Sequence, residues 1–274
     1  MAIGFKISEL KLLSEELRKK LGLPFDEMTH SFFKRRLSQF VEANGIRKVE
    51  QLLEQLNDKI FADQFIHFFS VNTTELFRDA GFWRHLRKMF LEKYSDRSIN
   101  IWLPDGASGE ELYSLIILID ELKLTNQVKI TVNHSSAAGL KMIQSGVLLS
   151  RKLDVNAYNY KRFEGIGSLD NYFSDTVNGF AFKIEQYNNI TFIQGGIEKV
   201  PAAKSDIIIM RNALLYYSKD YHTTVKLALD QSLKNGGLLC LGVKELLASP
   251  YNDRFECIDS KEKIYSKFSF LRDE

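Results

Sequence analysis

The chain carries two hydrophobic rhythms, and they change near residue 70. In the first part, Ile7, Leu10, Leu12, Leu13, Leu17 and Leu21 recur near the helical period, and Gly22-Leu23-Pro24 stops that run. Met28 to Glu42 predicts a second helix with Phe32, Phe33, Leu37 and Phe40 on its apolar side, ended by Asn44-Gly45. Val49 to Leu56 and Ile60 to Phe69 predict two more, so residues 1–71 read as an all-helical unit of local contacts. After a further helix from Phe82 to Tyr94, the rhythm becomes short apolar runs separated by helical stretches. The runs are Ile99 to Leu103, Val128 to Val132, Ile207 to Ile209 and Leu238 to Leu241. The helical stretches reach about Leu122, span Ser136 to Gly146, and span Lys219 to Leu233. That alternation predicts an α/β fold with a largely parallel sheet. Phe180 to Glu185 and Ile190 to Ile193, joined through Asn188-Asn189, predict a hairpin, and Phe255 to Ile258 with Lys263 to Phe268 a closing one.

The organising stretch is Ile99 to Ser114. An apolar strand breaks at Pro104-Asp105-Gly106 and opens a helix, the first half of a nucleotide-binding crossover. Such a turn brings backbone N–H groups and a helix N-terminus toward a ligand. Composition then narrows the class. No run of eighteen apolar residues is present, which predicts no membrane span, and the first residues lack the apolar core of a signal peptide. The cysteines, Cys240 and Cys257, have no metal-ligand spacing, so a reducing cytoplasmic setting and no metal are expected. A net charge of +2 predicts no nucleic-acid partner, although Lys34, Arg35, Arg36 and other cations crowd the first fifty residues.

Four motifs stand in order: Asn72-Thr73-Thr74-Glu75-Leu76-Phe77-Arg78, Gly109-Glu110-Glu111-Leu112-Tyr113-Ser114, Arg211-Asn212-Ala213-Leu214-Leu215-Tyr216-Tyr217, and Gly236-Gly237 followed by Leu241-Gly242-Val243-Lys244-Glu245. Together, over roughly residues 8–270, they resemble the CheR family of chemotaxis-receptor glutamate methyltransferases. The resemblance implies a helical N-terminal domain (1–71) and a Rossmann-like S-adenosylmethionine-dependent methyltransferase domain (72–274). It also implies a small antiparallel β-subdomain inserted at about 164–192. S-adenosylmethionine is the implied cofactor, with S-adenosylhomocysteine as product. The implied partner is a methyl-accepting receptor or another acidic helical protein, met by Lys34, Arg35 and Arg36. A cytoplasmic monomer that does not insert in a membrane is expected.

The resemblance also implies roles for individual residues. Arg78 would hold a carboxylate bidentately, and Tyr216 would close over the methyl group. Asn72 and Thr74 would hydrogen-bond the cofactor, or cap a helical turn. Glu111 would take the cofactor's amino group, with Asn212, Ala213, Gly196 and His134 completing its site. The chain departs from the family at three places. Pro104-Asp105-Gly106 replaces a glycine-bearing loop, His134 stands where an acidic residue grips the ribose, and Gly196 replaces a side chain that touches the cofactor. The departures keep a second expectation open, a catalytically silent relative that acts as a signalling or receptor-binding module.

Overall fold

The structure, a computed structural model, describes residues 7–71, 73–148, 150–176, 179–247 and 251–269. Four helices come first: α1 (Ile7–Leu21), α2 (His30–Ala43), α3 (Val49–Gln55) and α4 (Lys59–Phe69). Their apolar stripes close on one another, with Leu10, Leu17, Phe25, Leu37, Leu52 and Phe65 at the centre of a core of their own. Asp58 starts α4 by accepting the Phe61 N–H at 2.8 Å.

The rest of the chain winds around a seven-stranded sheet. Its elements are α5 (Ala80–Lys93), β1 (Ile99–Leu103), α6 (Glu110–Glu121), β2 (Val128–His134), α7 (Ala137–Ser145), β3 (Val147–Leu148), α8 (Leu153–Phe163), β4 (Phe173–Thr176), β5 (Gly179–Phe182), β6 (Ile190–Gln194), β7 (Ser205–Met210), α9 (Lys219–Ser232), β8 (Leu233–Leu241), β9 (Phe255–Asp259) and β10 (Ile264–Lys267). The strand order is β6-β2-β1-β7-β8-β10-β9. The first five run parallel, while β10 is antiparallel to both β8 and β9. Strand β1 is buried on both faces. Ile99, Ile101 and Leu103 join the larger core, and Trp102 packs on the opposite face with Ile208 and Leu239. The order reverses at β1, whose neighbours are β2 and β7, so the crevice outside their C-terminal ends is the expected ligand position.

The expected hairpin of Phe180 to Ile193 does not form. Ile190–Gln194 is instead the parallel edge strand beside β2, pairing Ile130 to His134 with Ile190 to Gln194. The Ile130 N–H donates to the Asn189 carbonyl at 2.9 Å, so Asn188-Asn189 leads into a parallel strand rather than turning a hairpin. Phe180 and its neighbours join a separate antiparallel sheet of order β3-β5-β4. The competing force is aromatic packing: the Phe182 ring stacks on Tyr113 of α6 at 4.7 Å and on Tyr187 at 5.9 Å. The closing hairpin, β9 with β10, forms as the alternation predicts.

Candidate active site

Three loops meet beyond the C-terminal ends of β1, β2 and β7. The first follows β1. The Gly106 N–H donates to the Asn133 carbonyl at 2.7 Å, and a Cβ at Gly106 would lie 2.7 Å from Val132. Only glycine lets the loop cross the end of β2 so closely. Asp105 accepts the Ala107 N–H at 3.1 Å, a side-chain turn that accommodates the positive φ of Ala107. Gly109, with φ of 98°, then opens α6.

The second loop is 73–79, pinned from below. Asn156 accepts the Leu76 N–H at 3.0 Å, Ser114 accepts the Phe77 N–H at 2.8 Å, and the Phe77 ring stacks on Phe163 at 4.2 Å. The Arg78 carbonyl accepts from Trp83 at 3.0 Å and from Arg211 at 3.3 Å. Its backbone is therefore fixed, Arg78 lines the cleft, and its exposed side chain has no ion pair among the described residues. Glu75 does not pair with Arg78; it faces Lys152 at 3.9 Å and Asn159.

The third loop follows β7. Arg211 is a buried cation: it donates to Asp79 at 2.7 Å and to Glu111 at 3.1 Å, and its guanidinium lies 4.1 Å from the Phe82 ring centroid. Burial raises the Glu111 pKa, and the charge of Arg211 opposes that rise. Asn212 has φ of 60°. Its turn is held by one buried carboxylate, Glu245, which accepts the N–H groups of Asn212, Leu214 and Gly242 at 2.9, 2.7 and 2.6 Å.

The cleft between these loops has two halves. The charged half is lined by Thr74, Arg78, Glu111, Arg211 and Asn212. Much of the wall of the apolar half comes from the helical layer, including Phe25, Met28, Phe32 and Phe69. Ala213 and Tyr216 line both halves, and Tyr216 packs on Phe32 with centroids 4.6 Å apart. Arg78, Thr74, Glu111, Asn212, Ala213 and Tyr216 are thus brought together, and α5 starts at Ala80, beyond Thr74. Asn72 lies outside the described residues.

Two expected residues are arranged differently. His134 ends β2 but is 1% exposed and lines neither half. Its Nδ1 accepts the Ser136 N–H at 3.0 Å, its ring fills the space beside Gly139, and it lies 5.8 Å from the His67 ring of α4. Burial lowers its pKa, which leaves a neutral ring turned from the cleft. Gly196 does line the apolar half, yet its carbonyl accepts from Asn133 at 3.0 Å and its N–H donates to Glu198 at 2.9 Å. Its backbone groups are already paired.

Other residues became apparent only in three dimensions. Asp63 of α4 accepts the N–H groups of Ala137 and Ala138 at 2.6 and 2.8 Å, capping α7 across the two layers. Arg36, expected to meet a partner, donates to the Ser70 carbonyl at 2.6 Å and lies over Phe68 at 5.1 Å, so it staples α2 to α4. Lys34 and Arg35 stay exposed. Arg211 and Glu245 stood inside recognised motifs, but nothing in the sequence marked them as bridging groups.

Residues 72–264 match the family described as CheR methyltransferase, SAM binding domain. The chain is 24% identical over 263 residues to Cher3 of Pseudomonas putida, which bears a methyltransferase name, covering 94% of this chain and 96% of that one. It is 26% identical over 280 residues to the chemotaxis protein methyltransferase of Vibrio anguillarum, covering 97% and 98%. Among solved structures it is similar to the rRNA methyltransferase aviRa of Streptomyces viridochromogenes, at 7% identity and a TM-score of 0.38, covering 67% and 83%.

Proposed function

The chain belongs to the CheR methyltransferase family, and we propose that it transfers the methyl group of S-adenosylmethionine to glutamate carboxylates of a chemoreceptor-like protein. The observation that carries this reading is the convergence of Arg78, Thr74, Glu111, Asn212, Ala213 and Tyr216 on one cleft. The residues fit the cofactor's chemistry. Glu111 offers a carboxylate to an ammonium, and the apolar half offers rings to an adenine. When bound, the cofactor supplies an electrophilic methyl group on a sulfonium. A glutamate carboxylate is ionised at neutral pH, so the protein needs no strong base. Its task is to hold the reactants in line and to balance charge. Arg78 holds the acceptor carboxylate by its guanidinium fork, and Tyr216 walls the transfer path against Phe32.

The exposed cations Lys34 and Arg35 on α2 support docking of an acidic helix. The separate core of α1 to α4 supports a boundary between a helical domain and a methyltransferase domain near residue 72. Action as a monomer in the cytoplasm completes the reading. Among the described residues no helix is long and apolar enough to cross a membrane. The withdrawal of His134 favours a second reading, a silent relative that binds a receptor without methylating it.

Calorimetry with S-adenosylhomocysteine separates the two, because only the enzyme requires this ligand. Arg78→Ala is expected to abolish methyl transfer to an acidic receptor helix while retaining the fold. Unchanged turnover would remove Arg78 from the mechanism.

A further inference from the structure

One carboxylate of the cleft has no task so far. Asp105 lines both halves, at their junction. Its Oδ1 takes the Ala107 N–H, which fixes the direction of the group, and its Oδ2 makes no hydrogen bond among the described residues. It forms no ion pair there either. The other carboxylates at the cleft are engaged: Glu111 by Arg211, Glu75 by Lys152, and Glu198 by the Gly196 N–H.

An adenosyl amino acid is a string of three parts: a flat ring, a vicinal diol and a zwitterion. If the ring takes the apolar half and the zwitterion the charged half, the diol falls at the junction. A diol presents two O–H donors, and an ionised carboxylate accepts both. His134 does not reach that place, and a neutral imidazole would supply one acceptor at most.

Resting on the cofactor assignment above, we propose that Asp105, at the end of β1, binds the ribose hydroxyls of the adenosyl cofactor, the task that the buried His134 at the end of β2 does not perform. The loop sequence Pro104-Asp105-Gly106 is then a relocated binding element rather than a defect. The Gly106 crossing and the Ala107 turn exist to aim that carboxylate.

The test is calorimetry on the full chain with S-adenosylhomocysteine and with its 2′-deoxy and 3′-deoxy forms, for the native protein and Asp105→Asn. The native protein is expected to lose about tenfold or more in affinity for either deoxy ligand, as a charged hydrogen bond commands. Asp105→Asn is expected to bind S-adenosylhomocysteine about tenfold more weakly and to discriminate the three ligands by less than about threefold. Asparagine keeps the acceptor for the Ala107 N–H. Ligand ratios measured on one variant also cancel any loss of folded protein. If Asp105→Asn discriminates as strongly as the native chain, the proposal is overturned alone. If the native chain binds no S-adenosylhomocysteine at millimolar ligand, the proposal falls together with the cofactor assignment.

Discussion

Arg211→Met tests the charge architecture of the cleft. The substitution removes a side chain that is 1% exposed and leaves its two partners, Asp79 at 28% and Glu111 at 17% exposure. Asp79 regains water easily, while Glu111 does not. Removing one member of a buried ion pair costs about 3–5 kcal/mol. The exposure of Asp79 sets the lower end, so about 3 kcal/mol is expected. Methionine retains a contact with the Phe82 ring, which limits the loss of the cation's attraction to it. The cost depends on pH in a definite direction. Burial already raises the Glu111 pKa above its ordinary 4.5, and losing Arg211 raises it further. An acid with a raised pKa binds a proton in the folded state that the unfolded state has released. Stability therefore falls as pH rises from the ordinary glutamate value through the folded one, and is regained on acidification. Urea unfolding of both proteins at about pH 5 and about pH 8, followed by fluorescence of the buried Trp83 and Trp102, measures this. The deficit of the variant should be larger at the higher pH, and Glu111→Gln in the same chain should recover part of it. A deficit below about 0.5 kcal/mol at both pH values, or one that grows on acidification, refutes the argument.

Two further expectations concern the scaffold. Asp63→Ala removes the acceptor that α4 lends to the start of α7, while the Ser136 cap stays, and should cost about 1–2 kcal/mol in thermal unfolding, with faster hydrogen exchange at Ala137 and Ala138; unchanged protection would mean that the contribution of Asp63 is dispensable. A thiol reagent should titrate the exposed Cys257 in the native protein and reach Cys240 only in denaturant, since Cys240 is buried with its pKa pushed up to about 12; rapid reaction of both would contradict the burial.

The parts of the fold legible in the sequence are those where one interaction dominates. Strong periodicity marked α1 to α4, and continuous apolar runs marked β1, β2, β7 and the later part of β8. The Phe180 to Ile193 region misled because strand composition does not state the partner. Its apolar residues divide between a parallel edge and an aromatic stack on α6. Helix α8 escaped notice because it turns Asn156 and Asn159 inward, where they hold the 73–79 loop rather than extend an apolar stripe. At the cleft, motif residues were legible as a set. Which of them face a ligand was not. Arg211 turns to Asp79 and Glu111 and Arg36 to Ser70, groups far away in the chain, while His134 turns under α7, held by its neighbour Ser136.

The family match begins at residue 72, whereas the apolar half of the cleft is walled in large part by residues 23–71. The segment that carries the methyltransferase signature therefore does not supply the whole wall of the cleft. A protein cut at that point would lose the Phe32 ring that now covers Tyr216. The same arrangement separates two kinds of change. Substitutions on the helical layer can reshape what the cleft accepts without touching Arg78, Glu111 or Asn212.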